Sequence, residues 1–470
     1  MKTLRLTAVA ALAILAIVAP ATPASPGVKT SKPPYLVPTA PGVVVDPILS
    51  TGDVVGGYQM SGIPDGLGAY TVRNGDDDDD DGENEAFTVV MNHELGKTFP
   101  AMPPGVDARI SRLEIDRDTR SVTDAEYLFT GQEGFERFCS STLEVISGRP
   151  FYFTGEEAID AGHDGSSIAL DPDTGMWRET PHFGKLQHEN VVPLKLKKWV
   201  FLTSEDDFRS GQPSYLYAYI ADDFNRALRG TRGSLYVWKA DNPAETGNAT
   251  VTKGESVPGH FVPIPQSENT SSASLKAAAG ARDAFRFDRL EDVAVRPGKK
   301  GRTYIAETGK PPTTARGRIY QFDIDPSDPT QATLRMILNG DGPDNDDIYN
   351  PDNMDASGEV LVIQEDRESA FRDPPFSDGY GRVMVYDFDS RTLRSVARVN
   401  TPPPLRPGTW ESSGVIDARH VLGRNWWLLD VQAHSTTAPQ PGPTLTPNSS
   451  SGEDGQLLAI RIPKSHGGDD

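Results

Sequence analysis

A single cysteine stands among 470 residues, and that shortage closes off whole classes of chemistry. No intramolecular disulfide framework, zinc finger or covalent haem motif can be built around Cys139 alone. Positive charge is also short: 46 Lys and Arg face 67 Asp and Glu, for a formal net charge of −21. Nucleic acid and anionic membrane are excluded as partners by that balance. Long apolar runs are confined to the N-terminus, and nothing beyond it approaches the ~20 consecutive apolar residues of a membrane-spanning helix. The sequence has no GxSxG elbow, no HExxH and no Walker-type glycine loop, so no local motif supports a serine hydrolase, a zinc protease or a nucleotide-binding loop.

What is present begins with an export signal. Lys2 and Arg5 precede the apolar run 6–20, and small residues at 21–24 complete the layout of a signal peptide over residues 1–24. With Lys2 and Arg5 removed, the charge of −21 becomes −23. An extracytoplasmic protein, secreted or periplasmic, is expected. Residues 25–41 are proline-rich and without periodicity, as in an extended arm. The body, 42–470, reads as one domain. Its 44 Gly and 39 Pro separate short β-type runs such as FTVVM (87–91), WVFLT (199–203), RTYIA (302–306) and VLVIQ (360–364). That spacing predicts an all-β fold. Because several runs end in acidic residues, a six-bladed β-propeller with long loop insertions suits them best, its strands converging on a central channel. Two biased stretches, 241–283 and 435–453, are expected as surface loops over the channel mouth.

The chemistry-bearing residues sit at the ends of these runs. Cys139 lies in FCSS, read as a polar loop, ahead of the strand PFYFT and the adjacent carboxylates Glu156 and Glu157. As an unpaired thiol it is a buried packing residue, a reactive group or a soft metal ligand. His188-Glu189, Glu205-Asp206-Asp207, Arg289-Leu290-Glu291 with Asp292, Pro351-Asp352-Asn353 and Glu365-Asp366 each flank a β-run, as do Asn92-His93-Glu94. Carboxylates brought together repel unless cations neutralise them. Calcium suits oxygen-only ligands, and a thiolate among them requires a softer metal. The six aspartates 76–81 could hold calcium or form a self-repelling hairpin tip.

The order of these motifs resembles the PhoX-type secreted alkaline phosphatases. The resemblance rests on Cys139 with Glu156-Glu157, His188-Glu189, Glu205-Asp206-Asp207, Arg289-Leu290-Glu291 and Pro351-Asp352-Asn353, spread over roughly residues 87–370. It departs from the family at Gly155, where a second cysteine is usual, and at Leu290, where proline is. The resemblance implies a six-bladed propeller with iron (Fe3+) and calcium (Ca2+) at its centre. Cys139, Glu189 and Glu291 would be iron or shared ligands, Glu156, Glu157 and Asp207 calcium ligands, and Arg289 the phosphate clamp. The implied reaction is hydrolysis of phosphate monoesters, with a phosphorylated small molecule as substrate and the protein a monomer. Two alternatives stay open on the residues: a calcium-dependent propeller lactonase or phytase-like esterase, and a non-catalytic calcium-stabilised binding propeller.

Overall fold

The computed structural model describes residues 27–71, 86–96, 107–160, 162–310, 314–367, 379–405, 407–434 and 453–464. The signal peptide 1–24, the aspartate run 76–81 and residues 435–452 of the C-terminal insertion lie outside them.

The fold is all-β and propeller-like. Six inner strands, Pro64–Tyr70, Phe138–Ile146, His188–Lys195, Leu290–Val295, Pro351–Ala356 and Trp410–Asp417, touch one another in turn, and the last meets the first. Antiparallel strands run outward from each. Four of the sheets so formed are separate. The first adds Ala86–His93, Arg109–Asp116 and Val122–Thr130, and the second adds Arg149–Glu156, Ser167–Asp171 and Met176–Glu179. The sheets begun by the third and fourth inner strands are fused into one of nine strands, because Ser256–Ile264 pairs with the outer strands of both, Gly233–Ala240 and Gln331–Asn339. Among the described residues the inner strands therefore build four separate sheets and one double one, beside a two-stranded sheet of Val54–Val55 and Tyr58–Gln59, where six separate blades were expected. The sheet of Trp410–Asp417 is completed by the N-terminal strand Val44–Ser50, paired to Asp454–Arg461, so the two ends of the chain clasp.

Alternation explains how the outer strands pack. Gln331–Asn339, QATLRMILN, buries every second residue, the pattern of a strand with one face on a core. Apolar clusters fill the space between neighbouring sheets: Tyr70, Phe129, Phe138, Tyr152 and Leu170 join the first to the second. The insertion 241–283 is more than a loop. It holds the bridging strand Ser256–Ile264 and the helix Ser272–Gly280, started by a capping box at Ser271 and carried by an alanine-rich run. The proline-rich arm is packed, too: Leu36–Pro38 adds an edge strand beside Leu393–Val399, and Lys32 and Tyr35 both bind Asp454, at 3.0 and 2.8 Å.

The inner ring is tight. A Cβ added at Gly66 would lie 2.6 Å from Cys139 O and from backbone atoms of Ser140 and Ser141 on the neighbouring inner strand. Gly66→Ala is expected to lose about 1–3 kcal/mol by denaturant unfolding, since backbone must move. Gly358→Ala, with nothing within 4 Å of its added methyl, should stay within about 0.5 kcal/mol of the parent. Equal midpoints for the two variants would show that the ring tolerates expansion.

Candidate metal centre

The same position of every inner strand is delivered to one end of the channel. Second in the six strands stand Asp65, Cys139, Glu189, Glu291, Asp352 and Glu411. In five of them a register shift places this residue and its successor opposite a single residue of the next strand. Such a β-bulge re-aims a side chain that regular pleating would send elsewhere.

A second set comes from the residue following each second strand: Glu94, Glu157, Asp206, Thr308, Asp366 and His434. The first five donate their backbone N–H to the carbonyl just ahead of the inner strand, at Ile63, Arg137, Gln187, Arg289 and Asn350, over 3.0–3.1 Å. Four of those carbonyl residues, Ile63, Arg137, Arg289 and Asn350, hold a left-handed backbone with φ between +41° and +64°. Strain of this kind persists where the surroundings over-determine it, commonly at functional sites.

The whole first set, with Glu94, Glu157 and Asp366 of the second, forms an arc. Ligand atoms within 4.8 Å of one another occur as Asp65–Glu94–Cys139, Cys139–Glu157–Glu189, Glu189–Glu291–Asp352 and Asp352–Asp366–Glu411. Cys139, Glu189 and Asp352 are shared, so the groups are continuous. Burial, and then Glu157, Glu94, Glu189 and Asp65, push the Cys139 thiol well above its ordinary range. Positive groups border the arc. Arg289 Nη2 lies 2.7 Å from Asp206 Oδ2 and 2.9 Å from Glu291 Oε1. Arg137 Nε lies 3.6 Å from Glu157 Oε2. His434 sits between Glu453, at 2.8 Å, and Glu411, at 3.5 Å. Burial opposes its charge, but those two carboxylates raise its pKa well above the usual imidazole value.

Of the residues singled out from sequence, Cys139, Glu157, Glu189 and Glu291 stand in the arc and Arg289 borders it. Glu156 and Asp207 stand elsewhere. Glu156 accepts the backbone N–H of Glu136 at 3.0 Å and contacts His163. Glu307 and Glu365, also last in their strands, likewise accept the N–H of Asp288 and Tyr349, each at 3.0 Å. Asp207 binds Arg209 and Lys276, both at 2.6 Å. Burial works against its ionisation, yet these two cations hold its pKa down at about 2. The arc also contains Glu94, Asp352 and Asp366, read from sequence only as members of strand-flanking polar groups, and Asp65 and Glu411, which the sequence reading did not single out. The available signal was positional: a carboxylate one step into five of the six inner strands and one step past four of the six second strands. FCSS, read as a loop, is the start of the inner strand Phe138–Ile146.

Further down the same ring, burial pushes Asp355 up to about 8, against hydrogen bonds from the Asp417 and Ala356 N–H groups at 2.7 Å. The folded state thus holds this proton more tightly than the unfolded chain, whose Asp titrates near 3.8. The stability it contributes is complete below that value and is lost as pH rises through about 8. In cation-depleted protein, Asp355→Asn is expected to flatten the fall in denaturant midpoint across that window, by on the order of a few kcal/mol. An unchanged slope would exclude it.

Comparison with known proteins adds family and fold. The family described as alkaline phosphatase PhoX matches residues 165–381. Pseudomonas fluorescens PhoX, solved in complex with vanadate, a transition state analogue, is similar over 91% of this chain and 97% of its own at 14% identity, with a TM-score of 0.60. Penicillium chrysogenum α-L-arabinanase aligns over 91% of this chain and 99% of its own at 12% identity, with a TM-score of only 0.41. No curated protein matches the sequence. The resemblance to the PhoX-type phosphatases read from the motifs is thereby shown, by family over residues 165–381 and by fold over most of the chain.

Proposed function

We infer that this PhoX-type alkaline phosphatase hydrolyses phosphate monoesters at the acidic arc, within a six-bladed propeller built on its six inner strands. The observation that carries the reading is the place of the thiol. Cys139 fills the one second position that is not a carboxylate, and it is shared by two of the four groups. Eight carboxylates and one thiol within such distances repel one another in the absence of cations. The donor set therefore fits bound cations: calcium on the hard oxygens, iron where the thiolate joins them. Cys139, Glu157, Glu189 and Glu291 would hold them, together with Asp65, Glu94, Asp352, Asp366 and Glu411. When bound, these cations neutralise the transferring phosphoryl group and lower the pKa of a water nucleophile.

The chain's own groups orient the substrate. Arg289 would clamp phosphate oxygens through its forked N–H groups. Asp206 accepts from both Nε, at 3.0 Å, and Nη2, at 2.7 Å, and so fixes the guanidinium plane. His434 holds Glu411 from behind. Glu156 and Asp207 are assigned scaffold roles, Glu156 capping a backbone N–H and Asp207 anchoring Lys276. The export signal at 1–24 supports an extracytoplasmic location, the family match supports a small phosphorylated substrate, and among the described residues no helix is long and apolar enough to cross a membrane; the protein is proposed to act as a monomer.

Purified protein is expected to contain iron and calcium by elemental analysis and to hydrolyse p-nitrophenyl phosphate. Cys139→Ser should lose the iron and the hydrolysis while keeping its β-type circular dichroism, because the hydroxyl is a poor substitute for a soft anion. A serine variant retaining both iron and rate would refute the ligand role. Neighbouring aspartates give a second test. Asp207→Asn should cost about 1–3 kcal/mol of stability by weakening the hold on half-buried Lys276, with specific activity preserved. Asp206→Asn should raise KM by about tenfold or more through a misoriented Arg289. If Asp207→Asn instead abolishes turnover in folded protein, the scaffold assignment fails.

A further inference from the structure

An exposed phenyl ring rides on a loop that is pinned on both sides. The loop joins Trp199–Glu205 to Leu216–Ala221. Lys310 Nζ donates to the carbonyls of Asp207, Arg209 at 3.0 Å and Gln212 at 2.7 Å. From the other side Lys276 Nζ reaches Asp207 and the Pro213 carbonyl, both at 2.6 Å, and Glu205 at 2.8 Å. Arg209 closes on the Asp207 carboxylate at 2.6 and 2.9 Å. Between Asp207 and Arg209 stands Phe208, 44% exposed. Scattered exposed apolar residues are ordinary. Less ordinary is a ring presented by a backbone held this firmly, two residues beyond the carboxylate that binds Arg289.

The ring leads to the centre in short steps. Arg137 Cζ lies 5.7 Å from the Phe208 centroid. The same guanidinium donates to the Glu157 carbonyl at 2.6 Å and stands against Glu157 Oε2, which accepts from Cys139 Sγ at 3.4 Å. Arg137 and Arg289 occupy equivalent places, each the left-handed residue directly before an inner strand. One guanidinium borders the arc at Asp206 and Glu291. The other lies between the arc and the exposed ring.

We propose that Phe208, backed by Arg137, is the leaving-group subsite, and that it selects phosphate monoesters whose leaving group is a planar aromatic ring. The proposal rests on the phosphatase reading above. A phosphoryl group held at the arc must direct its ester oxygen away from the buried acids, toward the mouth. An aromatic leaving group there gains an offset or edge-to-face partner at little ordering cost, because the platform is already fixed. A polyol leaving group has no such face to offer.

The test compares phenyl phosphate with glycerol phosphate on the wild type, Phe208→Ala and Phe208→Trp. The ratio of kcat/KM for the two esters cancels the folded fraction. In Phe208→Ala that ratio is expected to fall about tenfold through a raised KM for phenyl phosphate, and Phe208→Trp should keep it near the wild-type value. A ratio unchanged by the alanine substitution overturns the subsite, as does a fall carried by kcat alone. Wild-type protein loaded with iron and calcium that hydrolyses neither ester would sink the phosphatase reading itself, a result distinguishable from failure of the subsite.

Discussion

The structure depends on holding nine acidic side chains closer together than their charges allow. Each of the four groups brings its ligand atoms within 4.8 Å, a separation at which like charges repel strongly once water is removed. The bordering cations Arg289, Arg137 and His434 are already engaged with Asp206, Glu291, Glu157, Glu411 and Glu453. The repulsion must be resisted by a frame that cannot spread. Two features supply it: the apolar clusters between neighbouring sheets, and the clasp of Val44–Ser50 on Asp454–Arg461 that ties the chain's ends into one sheet. Gly66, packed against the backbone of the next inner strand, shows how little slack the ring has.

Within that frame, period-two alternation divides the labour between adjacent carboxylates. At the end of a second strand, neighbouring side chains point to opposite sides. Glu156 turns outward to receive the Glu136 N–H while Glu157 turns into the arc. Glu365 receives the Tyr349 N–H while Asp366 turns in. The outward residue satisfies a backbone donor that would otherwise be orphaned near the channel mouth, and the inward one carries charge. A slip of one residue exchanges the two roles. That is why Glu156 and Asp207, chemically indistinguishable in sequence from Glu157 and Asp206, lie on the scaffold side of the division.

This division also marks what was legible in the sequence and what was not. The strands packed between sheets, such as Phe87–Met91 within Ala86–His93 or Arg318–Ile324, announce themselves by apolar runs because both faces meet side chains. Four of the six inner strands do not. PDGLGAY, FCSSTLEVI, PDNMDA and WESSGVID read as turns or polar loops, since they line a channel and not a core, and their bulges break the alternation a strand pattern needs. Asp65 and Glu411 were hidden inside such segments. Glu189 and Glu291 were visible because His188-Glu189 and Arg289-Leu290-Glu291 belong to motifs whose order resembles a family. The bridging strand Ser256–Ile264 was obscured by composition: Gly259, Pro258 and Pro263 are turn formers, yet here they stand in a strand that links two outer edges.

The position of Cys139 bears on the choice between packing residue and ligand more than its burial does. A cysteine kept for volume belongs with the apolar side chains around it, and its neighbour Phe138 does pack with Phe129, Phe135 and Tyr152. Cys139 points the other way. Its sulfur lies 3.4 Å from Glu157 Oε2 and within ligand distance of Asp65, Glu94 and Glu189. Five other strands place a carboxylate at the same register, so the thiol replaces a hard anion within a repeated geometry and does not fill a gap in a core. Without cations those neighbours keep it protonated, and a neutral thiol among four carboxylates makes only a weak donor. A soft cation reverses that balance, since it favours the thiolate and relieves the carboxylates together. On the proposed reading, a sulfur at this position stabilises the ring that holds it only once such a cation is bound.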